Sequence, residues 1–316
     1  MSKGEAQGLV NKGLAEVNPS PFSGEATLGV LGLTRSGTSM LSSLLHALGV
    51  YMGDRIDSAV YEDVEVAAFI DKGDFAGLAA FAGTRNAAHR VWGFKRPNAY
   101  KTLPQLVPAL RNPRLIVTFR DILAIAMRNH VSMQMDVLPS LPRYVAEYGE
   151  LVRNIAAVQC PMLLVSYEKF LQFPEESIDA VAEFCGIAMT AELRDKAMAV
   201  VRNGPDIYLQ ASRLRYTGNV DRVVQGKLRG WAMVVDQPRI KAKVRLYADG
   251  KLIASATANR ARADLVNAKI GDGHHGFEID LDTSVRPETK LEVKVGNTET
   301  QIGNSGKEAA AYGLLF

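Results

Sequence analysis

Residues 32–39 read Gly-Leu-Thr-Arg-Ser-Gly-Thr-Ser, a glycine-bounded turn that carries one cation, Arg35, and the hydroxyls of Ser36, Thr38 and Ser39. The apolar run Leu28 to Leu33 before it reads as a short buried strand. Met40, Leu41, Leu44, Leu45 and Leu48 after it recur at helical spacing. A strand that feeds a helix through a glycine turn aims unpaired backbone N–H groups and the positive end of the helix dipole at one point. Such a point suits a phosphate, so an anion site is expected at Arg35, Ser36, Gly37, Thr38 and Ser39.

The spacing approaches that of a Walker A loop, G-x-x-x-x-G-K-[ST], but Thr38 stands where the lysine belongs. That lysine reaches the β and γ phosphates of a nucleoside triphosphate, and its replacement argues against an ordinary ATPase or GTPase. The cation here sits inside the loop instead.

Further chemistry-bearing residues lie at the ends of later strands. Val91-Trp92-Gly93-Phe94-Lys95-Arg96-Pro97 is a short strand ending in two cations beside a proline that stops regular structure. Arg114 to Phe119 is a buried strand running into Arg120-Asp121 and a helix from Ile122 through Arg128; open α/β sheets bind ligands at that carboxyl edge. Met162 to Ser166 is another such strand, followed by Tyr167-Glu168-Lys169-Phe170. The stretch Asp57 to Phe69 begins as a loop and turns helical, with Asp57 or Ser58 as the expected cap and Glu62 near the start. Each has a bland counterpart: Glu62 as a first-turn carboxylate, Lys95 as a surface lysine, Arg128 as a solvated helix arginine, Tyr167 as a ring buried for its area.

The elements that must position these groups follow from periodicity. Helices are expected over 104–110, 142–158 and 174–184, and again from 188 before a loop that includes Arg202 and Arg213. Four strands alternating with helices across 27–187 imply an α/β fold, a P-loop-like parallel sheet flanked by helices. From about Tyr216 the texture changes to short alternating strands, with hairpin signals at Asp249-Gly250 and Gly296-Asn297, and an all-β sandwich follows. The expected division is a flexible segment over 1–26, the α/β domain over 27–213, the sandwich over 214–303 and a tail over 304–316. His274 and His275 lack spaced partners and are expected as turn residues rather than metal ligands.

The chain has 316 residues, enough for two domains, and 37 basic against 34 acidic residues give a net charge of only +3. That balance excludes bulk nucleic-acid binding, while local anion sites are untouched by it. Cys160 and Cys185 are the only cysteines and form no C-x-x-C pair, so no disulfide framework or zinc site is implied. Residues 1–26 lack the apolar stretch of a signal peptide, and no segment has the ~20 apolar residues of a membrane span. A cytoplasmic protein is the expectation.

Arg35-Ser36-Gly37-Thr38-Ser39 resembles the 5′-phosphosulfate loop of the sulfotransferases, which use 3′-phosphoadenosine 5′-phosphosulfate (PAPS). The Trp-Gly-x-Lys stretch ending at Lys95, the aromatic-Glu-Asp stretch at Tyr61-Glu62-Asp63 and the Tyr167-Glu168 element resemble those of the bacterial members. The resemblance implies that Lys95 faces the active centre, that Glu62 approaches the acceptor as a base or contact, and that Tyr167 lies near the adenine. It also implies that Arg120 binds the 3′-phosphate. A serine usually follows that arginine by eight residues; here Arg128 stands there, and a guanidinium binds phosphate bidentately. The Arg-Lys-Gly segment that closes the 3′-phosphate site in cytosolic members is missing, and Arg202 and Arg213 are both candidates to replace it.

The C-terminal pattern of Gly230-Trp231-Ala232, Asp249-Gly250, Arg262 to Leu265 and 271–277 resembles a β-sandwich module appended to bacterial glycosyltransferases. Glycan binding, homo-oligomerisation and covering of the catalytic domain are all roles that fit it. Together these resemblances imply sulfuryl transfer from PAPS to a hydroxyl or amine, on a carbohydrate, a cell-envelope glycan or a small molecule. Adenosine 3′,5′-bisphosphate would be the product, with no metal. Two rival readings stand beside it: a P-loop kinase for a small molecule or sugar, and a non-catalytic glycan-binding or assembly protein on a transferase fold.

Overall fold

The computed structural model describes residues 11–54, 56–57, 61–211, 214–235, 237–282, 284–296 and 298–314. Ser58, Arg213 and Asn297, which the sequence proposed as a cap, a phosphate ligand and a turn residue, lie outside them. Contacts between Cα atoms divide the chain into two units: Met1–Ala126 with Val137–Ala211, and Met127–Asp136 with Ser212–Phe316.

The first unit runs β1 (Leu14–Val17), β2 (Ala26–Gly32), α1 (Thr38–Ala47), β3 (Ile56–Asp57), β4 (Glu62–Asp63), α2 (Val64–Lys72), α3 (Phe75–Ala88), β5 (Val91–Lys95), α4 (Leu103–Leu106), β6 (Pro113–Phe119), α5 (Ile122–Met133), α6 (Val137–Ala156), β7 (Met162–Ser166), α7 (Tyr167–Gln172), α8 (Pro174–Phe184) and α9 (Ala191–Ala211). The end of α5 belongs to the second unit. Its main sheet has the order β1-β7-β6-β2-β5, with β7, β6, β2 and β5 parallel.

Alternation builds both faces of this sheet. Leu28, Val30 and Ile116 enter a core with α1, α8 and α9, while Leu31, Leu33, Leu115 and Val117 enter a second core with α3 and α6. Every residue of β2 is buried, as expected of a central parallel strand covered on both sides. The segment expected to be flexible before residue 27 contains a strand: β1 pairs antiparallel with β7, from Leu14 against Val165 to Val17 against Met162. Its short, weakly patterned sequence gives no periodicity signal; the free edge of β7 supplies its partner. The helix at α2 is capped by Asp63 rather than by the earlier residues, because Asp63 Oδ1 accepts from the amides of Glu65 at 2.9 Å and Val66 at 3.2 Å.

The second unit contains β8 (Tyr216–Val224), β9 (Lys227–Val234), β10 (Lys243–Ala248), β11 (Lys251–Thr257), β12 (Arg260–Ala261), α10 (Ala263–Asn267), β13 (His274–Asp280), β14 (Lys290–Val295) and β15 (Lys307–Glu308). Two antiparallel sheets, β11-β10-β14-β15 and β12-β13-β9-β8, share one core that includes Leu228, Val244, Leu246, Phe277 and Val293. Strand β9 alternates buried and part-buried residues along its length, the signature of a strand with one face inward. Asp249 and Gly250 take φ of 47° and 80° between β10 and β11, the left-handed pair that a tight hairpin turn demands.

Two details differ from expectation. His274 and His275 open β13 instead of forming a turn, and His275 is buried. The stretch expected as a tail supplies β15 and a 3₁₀ turn over Ala309–Tyr312 whose Ala309 and Tyr312 enter the sandwich core. Tyr312 donates its hydroxyl to the carbonyl of Asn304 at 2.6 Å, which lets an aromatic close a sequence too short to read as a strand.

Candidate functional site

The loop between β2 and α1 departs from ordinary backbone geometry where the sequence places its anion site. Arg35 has φ 72° and Gly37, at the N-cap of α1, has φ 105°. A Cβ at Gly37 would lie 2.2 Å from Cδ2 of Tyr167, so glycine is required both by the backbone and by the ring beneath it. Ser36 is buried, and its Oγ lies 2.5 Å from Thr118 Oγ1 near the end of β6. Thr38 and Ser39 form the first turn of α1, the end at which a helix points its amides outward. Burial lowers the Arg35 pKa, an effect that the nearby Tyr144 hydroxyl opposes.

Arg120 comes to this loop from the end of β6. Its Nη1 donates to the carbonyl of Arg35 at 3.0 Å, and its guanidinium lies 4.5 Å from the centre of the Tyr167 ring. Tyr148, on α6, grips the Arg120 backbone at both ends: its hydroxyl accepts from the Arg120 amide and donates to the Arg120 carbonyl, each at 2.7 Å. Burial pushes the Tyr148 hydroxyl up to about 12, which keeps it in its donating form. Glu168 adds a carboxylate 3.7 Å from Arg120 Nε. The structure thus brings Arg35, Ser36, Gly37, Arg120 and Tyr167 together.

Lys95 and Glu62 form a second group in the same unit. Strand β5 is parallel to β2 with Lys95 opposite Val30, so Lys95 sits at the carboxyl end of its strand, two residues before the end of β2. It is buried, with 4% of its surface exposed, which removes the surface-lysine alternative. Glu62 lies with one carboxylate oxygen 3.8 Å from Lys95 Nζ and the other 3.1 Å from Arg96 Nη1. Asp71 holds Arg96 from its far side.

Arg128 is placed differently. It lies on α5 in the stretch that clusters with the second unit, and its carbonyl accepts from Ser132 Oγ at 2.9 Å. Arg202, on α9, is exposed. The histidines of the first unit have packing roles: His46 lies against Tyr61 and His89 stacks on Tyr51, with ring centres 5.2 and 3.8 Å apart.

Sequence reasoning missed Thr118, Tyr148 and Tyr144. A hydroxyl-bearing residue near the end of an otherwise apolar strand was the available signal for Thr118. The two tyrosines share a helix face at i and i+4, a spacing that a core reading explains equally well.

Residues 52–191 match the model of the Sulfotransferase family. The matched stretch contains Glu62, Lys95, Arg120, Arg128 and Tyr167 and begins after the Arg35 loop. Among solved structures, the crystal structure of sulfotransferase STF9 from Mycobacterium avium aligns with 57% of this chain and 69% of its own, at 15% identity and a TM-score of 0.35. No curated protein matches the sequence.

Proposed function

We propose that the α/β unit, whose residues 52–191 match the sulfotransferase family model, moves a sulfuryl group from PAPS to a hydroxyl or amine of an acceptor, a carbohydrate or cell-envelope glycan. The observation that carries the donor assignment is the Arg120 bond to the Arg35 carbonyl, which joins a loop shaped for one phosphate to a cation 85 residues away. A donor with phosphates at both ends of its ribose needs two separated cationic contacts, and these residues fit that need. Arg35, Ser36, Thr38, Ser39 and the Gly37 backbone would hold the 5′ end; Arg120 would hold the 3′-phosphate; Tyr167 supports the loop from below and would border the adenine side.

When bound, PAPS supplies an activated sulfur joined to a phosphate oxygen. The acceptor oxygen or nitrogen attacks that sulfur in line, the bond from sulfur to the phosphate oxygen breaks, and the electron pair leaves with adenosine 3′,5′-bisphosphate. Little covalent work is left to the protein, so its contribution is positioning and charge stabilisation. Arg35 and the loop amides stabilise the charge that grows on the leaving phosphate. Lys95, buried and therefore in a low-dielectric setting, acts on the transferring group. Glu62 takes the acceptor proton. A transferring sulfuryl carries less charge than a γ-phosphoryl, which agrees with a loop that has lost the Walker lysine.

The test is ligand-dependent thermal stability. Adenosine 3′,5′-bisphosphate without Mg²⁺ should raise the melting temperature by mass action, and ATP with Mg²⁺ should not. Stabilisation by ATP with Mg²⁺ alone would put the kinase reading in its place. Stabilisation by neither would leave the non-catalytic reading.

A further inference from the structure

Glu62 sits between two residues that the fold holds unusually firmly. Tyr61 has φ 52°, a left-handed backbone that is costly for a non-glycine residue and that must be imposed by its surroundings. Ser42 imposes it: its Oγ donates to the Tyr61 carbonyl at 2.9 Å. Ser42 is fully buried and stands one helical turn after Thr38, on the helix that begins at the anion loop.

On the other flank, Asp63 is held at one oxygen by hydrogen bonds and at the other by charge. Oδ1 caps α2, and Oδ2 lies 3.2 Å from Arg85 Nη2. Arg85 is itself buried, its guanidinium 4.9 Å from the ring centres of Tyr51 and Phe81 and 3.2 Å from Glu65. Gly53, at φ 112°, permits the approach, since a Cβ there would stand 2.3 Å from Asp63 Oδ2. A buried ion pair is a poor source of net stability, because desolvation offsets the attraction, and well-packed apolar residues serve as well. What it does supply is one fixed geometry.

We infer that Ser42 and the Asp63–Arg85 pair are positioning residues for Glu62. They clamp the backbone on either side of it so that its carboxylate meets Lys95 and Arg96, and Ser42 ties that placement to the helix of the anion loop. The inference rests on the acceptor-side role proposed for Glu62. It assigns Ser42, Asp63 and Arg85 no contact with substrate.

Three variants of the full chain test it: Ser42→Ala, Asp63→Asn and Glu62→Gln, with Ser42→Ala and Asp63→Asn also built on Glu62→Gln. Asparagine caps a helix as well as aspartate, so Asp63→Asn keeps α2 while removing the charge. Amide hydrogen exchange should speed up about 10-fold or more over residues 61–66 in Ser42→Ala and Asp63→Asn, with the anion loop and the adenosine 3′,5′-bisphosphate shift unchanged. Sulfuryl transfer from labelled PAPS to a panel of saccharide and phenol acceptors should fall about 10-fold to 100-fold in kcat. Neither substitution should lower it further on the Glu62→Gln background. Wild-type exchange over 61–66 in both variants would overturn the inference, as would losses that multiply with that of Glu62→Gln. A wild-type chain that neither binds the bisphosphate nor transfers sulfuryl would defeat the sulfotransferase reading instead, while the exchange data would still decide whether the clamp exists.

Discussion

Arg120 Nη1 donates to the carbonyl of Arg35 at 3.0 Å, so the side chain of one cation fixes the backbone of another. The bond holds Arg35 in its left-handed conformation, while Glu168 lies 3.7 Å from Arg120 Nε. Arg120→Ala should therefore weaken adenosine 3′,5′-bisphosphate about 10-fold to 100-fold by isothermal calorimetry, the scale of one or two hydrogen bonds to a charged group. Arg120→Lys should recover little of it, because an ammonium cannot bond the carbonyl and a phosphate in one plane.

Tyr148→Phe removes the hydroxyl that serves both the amide and the carbonyl of Arg120. The expected cost is about 1–3 kcal/mol of stability by denaturant titration, the range for leaving buried polar groups unpaired. Bisphosphate affinity should fall with it, since Arg120 loses its backbone anchor. A stability loss with unchanged affinity would show that Arg120 is held well enough by its side chain alone.

Gly37→Ala should be poorly tolerated, because alanine meets the Tyr167 ring and a φ of 105° together. Tyr167→Ala opens the space but leaves the backbone problem. The double variant should consequently be more stable than the sum of the two single losses, with a coupling of about 0.5–3 kcal/mol for residues in contact. Additive losses would mean that the clash is relieved by a loop shift.

Lys95→Met keeps the aliphatic stem in a buried site and removes the charge. Bisphosphate should still stabilise this variant, whereas kcat for sulfuryl transfer should fall about 100-fold to 1,000-fold, as when one electrostatic stabiliser is removed from an active site. Equal losses in binding and turnover would reassign Lys95 to ground-state binding.

The two thiols give a stability signature at alkaline pH. Burial pushes Cys160 up to about 11, and Cys185 up to about 12 against the opposing pull of Arg114. In the unfolded chain a thiol ionises near 8.5. Between that value and the folded one, the unfolded state sheds a proton that the native state retains, so unfolding becomes easier as pH rises. Denaturant titrations from pH 8 to 10 should show falling stability, with a shallower slope in Cys185→Ala after allowance for its cavity. Native protein at pH 8 should also react slowly with thiol reagents.

Much of the scaffold was legible because central parallel strands bury both faces and read as uninterrupted apolar runs; β2 and β6 are of this kind. The glycines of the loop were legible for the same reason: a turn between such a strand and a helix has few solutions. Lys95 could be placed at a strand end but not inside the protein, since nothing in its neighbours announces that β4 comes to lie beside β5 and brings Glu62 to it. Tyr148 and Arg85 were illegible on principle. Their partners lie 28 and 22 residues away, and in sequence an amphipathic tyrosine and a helix arginine look like core filler and solvated surface. The strand at Leu14–Val17 was hidden because four residues carry no period, and only the waiting edge of β7 makes them extended.

That last strand has a bearing on how the protein behaves in a crowd. An uncovered β7 would present a row of backbone donors and acceptors on one rim of the sheet, a template for another chain of the same sequence. The four residues of β1 occupy that rim from within, antiparallel to a strand whose other neighbour is parallel. Deletion of Leu14–Val17 would remove this cover without touching either cation group. The damage would then surface as adhesion between molecules well before any disturbance of the Arg35 loop.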